Sequence, residues 1–512
     1  MTETSLYDKE AVAKRMFNIL IANKEMTVEN FQSDLPDNIF KEVLDFLMND
    51  KKLIKIENGQ VKLVDTVTVT EEKLVDIEEA QQKSFYKDEN GKIYEQIYNK
   101  GNGSRFVSWD GEKAEIVSNI NIGDITPIED EGLELGAILL PTEPVCYENL
   151  EKLMQDIKQF IHKYLDVSEE FENIAVCYIV LSWIYDRLTT IPYLRALGDL
   201  GTGKSRFLDV IGGLCYKACI VSGAITPAPI YRMIKRWGGA IVFDESDFRS
   251  STESQEIIKI LNCGFEANKP VIRCLKDNPD TIQFLPTYSP KVFSSRKTFS
   301  DKALESRCLT EIMLETTRTD IPAILLPVFY EERQQLINKL LMFRLQNYNK
   351  IDPNIIQNID LGNIEKRLKQ ATLNFAVLFS NIPELMENFK EFLQKYSESL
   401  VDERYSTDEG MIIETIFRLK DRGKELISSQ DIAEDMETEY KLKNPMTARS
   451  VGRYLKSLGI VTKQKFIDGT NRRVMLWDNK LMELLKMKYI PKVYDSNDSN
   501  AINDRNKEQT TL

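Results

Sequence analysis

An α/β protein built on a parallel sheet flanked by helices is what this sequence predicts, from three observations. Residues 191–205 read Ile-Pro-Tyr-Leu-Arg-Ala-Leu-Gly-Asp-Leu-Gly-Thr-Gly-Lys-Ser, a short apolar strand that breaks into glycines and then into the amphipathic run 206–214. About forty residues on, Ala240-Ile-Val-Phe-Asp-Glu245 is a second apolar strand, ending in two carboxylates. Strand-like runs at 220–225 and 291–293 then alternate with helical patterns, which predicts a ligand at the sheet's carboxyl edge.

With 512 residues the chain is too long for one core, and two to four domains are expected. Hydrophobic content of 42% and charged content of 29% predict a soluble globular protein. The longest apolar run, 174–185, is too short to cross a bilayer, no N-terminal stretch reads as a secretory signal, and a cytoplasmic location is expected. Seven cysteines without tight pairing, beside the single His162, argue for a reduced interior and against a zinc site. A net charge of −13 excludes general nucleic-acid affinity, so any such contact needs a local basic patch.

Residues 1–65 read as a winged-helix-like unit. Helical patterns at 11–22 and 39–48 precede 53–63, where Asn58-Gly59 is a hairpin turn between alternating strands. The unit could read DNA, yet between 26 and 64 five lysines face seven acidic residues, so a protein-contacting or structural role fits better. Residues 66–144 are short strands with Gly and Asn turns, a small β-rich subdomain without a chemical motif. Its Tyr86, Tyr94, Tyr98 and Trp109 fit core packing better than stacking on bases.

The loop carries the chemistry. Gly198-x4-Gly203-Lys204-Ser205 matches the phosphate-binding pattern in full. Backbone N–H groups around Gly198, Gly201, Thr202 and Gly203 curl around a polyphosphate, with Arg206 following in the new helix. Lys204 would reach the β/γ-phosphates of ATP, the Ser205 hydroxyl would ligate Mg²⁺, Asp244 would hold the same ion, and Glu245 would orient and deprotonate the attacking water. Four apolar residues running into Asp-Glu are costly unless the carboxylates face a cation or solvent; the other reading is that they merely open a loop. Between the acidic strand and Ser294, segments 269–276 and 281–284 form a hairpin around a Pro-containing turn.

Over about 145–379 the order of these elements resembles the AAA+ ATPases. It is most similar to the replicative-helicase-like ATPases, of the MCM and superfamily 3 types, carried by mobile elements or viruses. The resemblance implies a core at 145–324 and an α-helical lid at 325–400. It implies that Ser294 and Ser295 stand where the family keeps its polar first sensor, usually Asn or Thr; the Asn that marks superfamily 3 after this strand is missing. Ala303-Leu-Glu-Ser-Arg-Cys308 is similar to the Ser-Arg-Cys box of clamp loaders. That similarity implies Arg307 as a finger into the neighbouring subunit of a homo-oligomeric, hexameric ring. Arg367 falls where the lid's second sensor would be. The hairpin lies where such helicases insert a pore loop, which implies Lys269, Arg273 and Lys276 along single-stranded DNA. A surface salt bridge for Arg307 and a purely structural hairpin are the other readings.

From 325 to about 396 the pattern is almost continuously helical, as a lid requires. Residues 401–490 read as a C-terminal winged helix: helices at 410–419, 428–436 and 447–456, then a hairpin across Asp468-Gly469. From 446 to 477, Arg449, Arg453, Lys456, Lys463, Lys465, Arg472 and Arg473 face Asp468 alone. Arg449, Arg453 and Lys456 share one helical face, and duplex DNA contact is expected there. Residues 491–512 read as a disordered tail.

Two functions from different classes follow. One is an ATP-hydrolysing motor on DNA, helicase- or initiator-like. The other is an ATP-controlled loader, transposition regulator or defence switch that binds DNA, and protein partners through the N-terminal unit, without unwinding. A plain transcription factor ranks last, since it needs neither the Asp-Glu pair nor a finger.

Overall fold

Five parallel strands form the centre of the first part of the chain: β1 (Tyr193–Leu197), β2 (Cys219–Val221), β3 (Ile241–Phe243), β4 (Lys291–Ser295) and β5 (Cys308–Ile312). Their order across the sheet is β2-β3-β4-β1-β5. This computed structural model describes residues 81–120, 125–222, 225–244, 252–274, 280–362, 364–441, 445–467 and 470–491, with 16, 20, 25–28, 37–50, 54–57 and 59–63 before them. It divides into two units, Met1–Pro353 and Asn354–Leu512.

β1, β3 and β4 are short and buried along nearly their whole length, as expected for the inner strands of a parallel sheet covered on both faces. β4 lies between β1 and β3, pairing Leu197 with Ser295 and Phe243 with Phe293. The ends of β1, β3 and β4 therefore meet at one edge. Two helices precede the sheet. Leu150–Tyr164, capped by Asn149, buries Leu153, Ile157, Phe160, Ile161 and Tyr164 at helical spacing. Glu169–Ser182, capped by Ser168, is buried on all sides, which accounts for the apolar run in the sequence. Among the described residues no helix is long and apolar enough to cross a membrane.

The β-rich stretch is an antiparallel meander of Phe85–Lys87, Ile93–Asn99, Gly103–Trp109 and Ala114–Val117. Its aromatics pack. Trp109 is buried, Tyr86 and Tyr94 lie on Phe106, Ile120 and Ile125, and Tyr98 lies on the main core.

Buried charge ties this meander to the helix Pro327–Asn347. Glu95, Lys217 and Arg344 are all buried. Arg344 donates to both Asp186 carboxylate oxygens at 2.8 Å, bonds Glu95, and lies over the Tyr216 and Tyr348 rings. Lys217 reaches Glu95 at 3.0 Å, and the Tyr216 hydroxyl donates to the same carboxylate at 2.9 Å. Burial lowers the Lys217 pKa to about 8. Ions this deep persist only when mutually satisfied.

Helix Pro327–Asn347 thus belongs to the first unit, and the unit boundary falls inside the 325–400 stretch expected as one lid. The helical pattern is also broken there: Pro353 and Gly362, with φ of 76°, separate that helix from Lys366–Thr372 and Pro383–Tyr405. The second unit continues with Asp408–Asp421, Ser429–Tyr440 and Ala448–Ser457. The hairpin Thr462–Ile467 with Thr470–Met475 and the helix Asn479–Tyr489 follow. Its core includes Ile412, Ile416, Ile432, Met436, Val451 and Leu455, and Ser428 and Asp431 close a capping box.

Near the N-terminus, Glu25–Thr27 and Ile54–Glu57 flank Gln60–Leu63, over a core of Leu20, Val43, Leu47, Ile54 and Val61. Helix Asp37–Asp45 supplies Val43. The expected tail beyond 491 lies outside the described residues.

Candidate functional site

The chain leaves β1 into the glycine loop. The Gly198 N–H donates to the Ser295 carbonyl at 3.1 Å, and a Cβ at Gly198 would sit 2.5 Å from the Met313 carbonyl oxygen. Only glycine lets the loop start so close to its neighbours. Gly203 takes φ of 87° directly before the helix Lys204–Val210. Across the loop, the Lys204 ammonium bonds the Asp199 carbonyl, and the Thr202 hydroxyl donates to the same oxygen at 2.9 Å.

Opposite the loop, β3 delivers Asp244. Its carboxylate accepts from the Ser294 hydroxyl at 2.9 Å, and its N–H donates to the Val221 carbonyl at 2.9 Å. Beside it the Ser295 hydroxyl is buried with no hydrogen-bond partner, a state that costs about 1–3 kcal/mol. Gly201, Gly203, Lys204, Ser205, Asp244 and Ser295 line one cleft of about 180 Å³.

Two residues in or beside the cleft were not singled out from the sequence. Arg296 lines the cleft directly after the polar strand end, and that position was its only signal. Asp209 stands one turn beyond Ser205; burial raises its pKa, Arg333 opposes this, and Asp244 adds to the rise. Arg206 lines the cleft too, but its guanidinium donates to the Pro322 and Ala323 carbonyls at 2.6 and 2.7 Å. Glu245 lies outside the described residues.

These groups fit a nucleoside triphosphate with a magnesium ion. An unpartnered hydroxyl, an ammonium and glycine N–H groups supply donors for phosphate oxygens, and the Ser205 hydroxyl and Asp244 carboxylate supply hard oxygen ligands. Among the described residues no group of three or more His, Cys, Asp and Glu could hold a metal. The cysteines are free thiols.

Arg307 lies at the other edge of the sheet. Its carbonyl accepts from Tyr193 N–H where β1 begins, roughly 13 Å of strand from the loop. Its guanidinium donates to Asn262 and Ala303 at 3.0 and 2.5 Å, while its Nε is buried without a partner. Arg367 falls in the helix Lys366–Thr372 of the second unit, and its side chain is outside the described residues.

The hairpin Val271–Cys274 with Ile282–Leu285 forms as expected, but its described cations are engaged. Lys269 pairs with Glu266, and Arg273 pairs with Glu256 while lying over the Tyr231 ring. One face carries Ile272 and Phe284, 59% and 61% exposed. Lys276 lies outside the described residues.

In the second unit the basic residues meet in a groove of about 490 Å³. The helix Ala448–Ser457 buries Val451 and Leu455, which turns Arg449, Arg453 and Lys456 outward into it. The hairpin contributes Thr462, Asn471, Arg472 and Arg473. Arg472 also lies 3.6 Å from Asp431. Lys463 and Lys465 are exposed on the hairpin but do not line the groove.

No family model matches the chain, and no curated protein matches it. Among solved structures, the apo NrS-1 C-terminal region is 12% identical with a TM-score of 0.32, over 75% of this chain and 96% of that one. A structure described as an active SCCmec type IV Cch helicase is 11% identical with a TM-score of 0.35, over 95% of this chain and 91% of that one. An inhibitor-bound JCV helicase is 15% identical with a TM-score of 0.22, over 48% of this chain and 61% of that one. Identities and TM-scores this low assign no role to this chain.

Proposed function

We propose that this chain hydrolyses ATP with magnesium and works as a motor on DNA. The observation that carries the reading is the convergence of Lys204, Ser205, Asp244 and the unpartnered Ser295 hydroxyl in one cleft beside the glycine loop. Lys204 and the loop N–H groups hold the β- and γ-phosphates, and Ser205 and Asp244 hold the metal. When bound, the metal draws charge from the phosphate oxygens. Glu245 takes the proton of the attacking water, Ser294 holds Asp244 in place, and Ser295 donates to a phosphate oxygen or the water.

Arg307 sits too far from its own cleft to serve it, which favours a finger into a neighbouring copy in a ring, with six subunits proposed. Arg367 acts as a second sensor. Lys269, Arg273 and Lys276 face single-stranded DNA in the ring's pore, and Arg449, Arg453, Lys456, Lys463, Lys465, Arg472 and Arg473 hold DNA at the C-terminal unit.

A non-translocating switch is the second reading. It is favoured by the pairing of Lys269 with Glu266 and of Arg273 with Glu256, which leaves this hairpin less charge for a DNA backbone. ATP hydrolysis without DNA, with single strands and with duplex, against Glu245→Gln as the blank, separates the two. Stimulation by DNA supports the motor; hydrolysis indifferent to all DNA supports the switch; no hydrolysis above the blank overturns both.

A further inference from the structure

The hairpin of the second unit carries a side chain that folding does not use. Phe466 is 73% exposed and takes no part in the unit's core. It stands opposite Asn471, as Gln464 stands opposite Arg473 and Thr462 opposite Met475. Opposed residues and every second residue of a strand point to one face, so Phe466 shares the face of Thr462, Asn471 and Arg473. Those three line the basic groove together with Arg472 of the other face, and Phe466 adjoins the groove as the cross-strand partner of Asn471. An exposed aromatic ring beyond a row of cations that includes Arg449 and Arg453 offers a nucleic acid both things it needs, charge for the backbone and an apolar face for a base.

We infer that Phe466 is a base-stacking residue, taking an unpaired DNA base while the groove's cations hold the adjoining phosphates. This rests on the groove being a DNA site. An unpaired base comes from a single strand or from the open end of a duplex; a closed duplex offers none.

The test uses the full chain with three DNAs: a single strand, a duplex with a single-stranded overhang, and a dumbbell duplex closed at both ends. Phe466→Ala is expected to weaken binding about tenfold on the single strand, the overhang duplex or both, with little change on the dumbbell and an unaltered salt slope. Which DNA loses more identifies the source of the base. Phe466→Trp should restore binding, and its emission should fall when DNA is added. Loss of equal size on the dumbbell overturns the assignment to an unpaired base. Weakening by Arg449→Ala with none by Phe466→Ala overturns stacking and leaves the groove a DNA site. Wild-type protein that binds none of the three overturns both. Thermal melting of Phe466→Ala should match the wild type, since the ring is exposed.

Discussion

The cleft after β1 and the groove of the second unit are both built to meet phosphate, by opposite means. In the cleft, strands buried along their length bring a loop and an aspartate together, and a single Cβ at Gly198 would collide with the Met313 carbonyl. In the groove, exposed Arg449, Arg453 and Lys456 stand on a helix held from behind by Val451 and Leu455. A site fixed by backbone fails at once when one part is wrong. A site made of long exposed cations weakens by increments.

The largest effect should come from Lys204→Ala. ATP hydrolysis is expected to fall to background, while DNA affinity measured without nucleotide stays at the wild-type value. A variant that lost both would show that the two sites do not work separately. Next comes Gly198→Ala. The Met313 carbonyl and the Thr202 hydroxyl, 2.5 and 2.7 Å from the added Cβ, have to move. Nucleotide affinity should fall and the protein should lose about 1–3 kcal/mol, read from chemical denaturation. Unchanged affinity and stability would mean that the loop is more pliable than its contacts indicate.

In the groove, Arg449→Ala and Arg453→Ala should each weaken DNA binding severalfold and lower the salt slope by about 1, with ATP turnover without DNA unchanged. Together they should weaken binding further than either alone, and the departure from additivity measures how far these two neighbours on one helical face are coupled. A single substitution that abolished binding would make the groove as unforgiving as the cleft.

What could be read from the sequence divides along the same line. The loop, the acidic strand and the outward cations are local patterns, so Gly198 to Ser205, Asp244 and the face of Arg449, Arg453 and Lys456 were legible. Residues whose partners are remote in sequence were not. Glu95 and Arg344 meet across 249 positions, and nothing near either one marks it as buried. Lys269 and Arg273 looked like a basic tip because their acidic partners, Glu266 and Glu256, come from the segment before the hairpin. The Ser295 hydroxyl became conspicuous only once its neighbours were seen to leave it unpaired.

The smallest effect concerns the strand beneath the cleft. Lys291 opens β4, four residues before Ser295, and is buried, donating to the Thr287 and Ser289 carbonyls at 2.9 Å. Burial lowers its pKa from 10.5 to about 7. Between those values the unfolded chain binds more protons than the folded one, so the stability contributed at Lys291 rises with pH across that window and is least below about pH 7. Lys291→Met removes the titrating group but leaves the two carbonyls without their donor, which fixes an offset that does not depend on pH. The Tm of the wild type minus that of Lys291→Met should therefore grow from about pH 7 to about pH 9. Parallel melting curves across that range would mean that the ammonium keeps its proton in the folded chain, held by its carbonyls and by the Tyr193 ring 5.1 Å away.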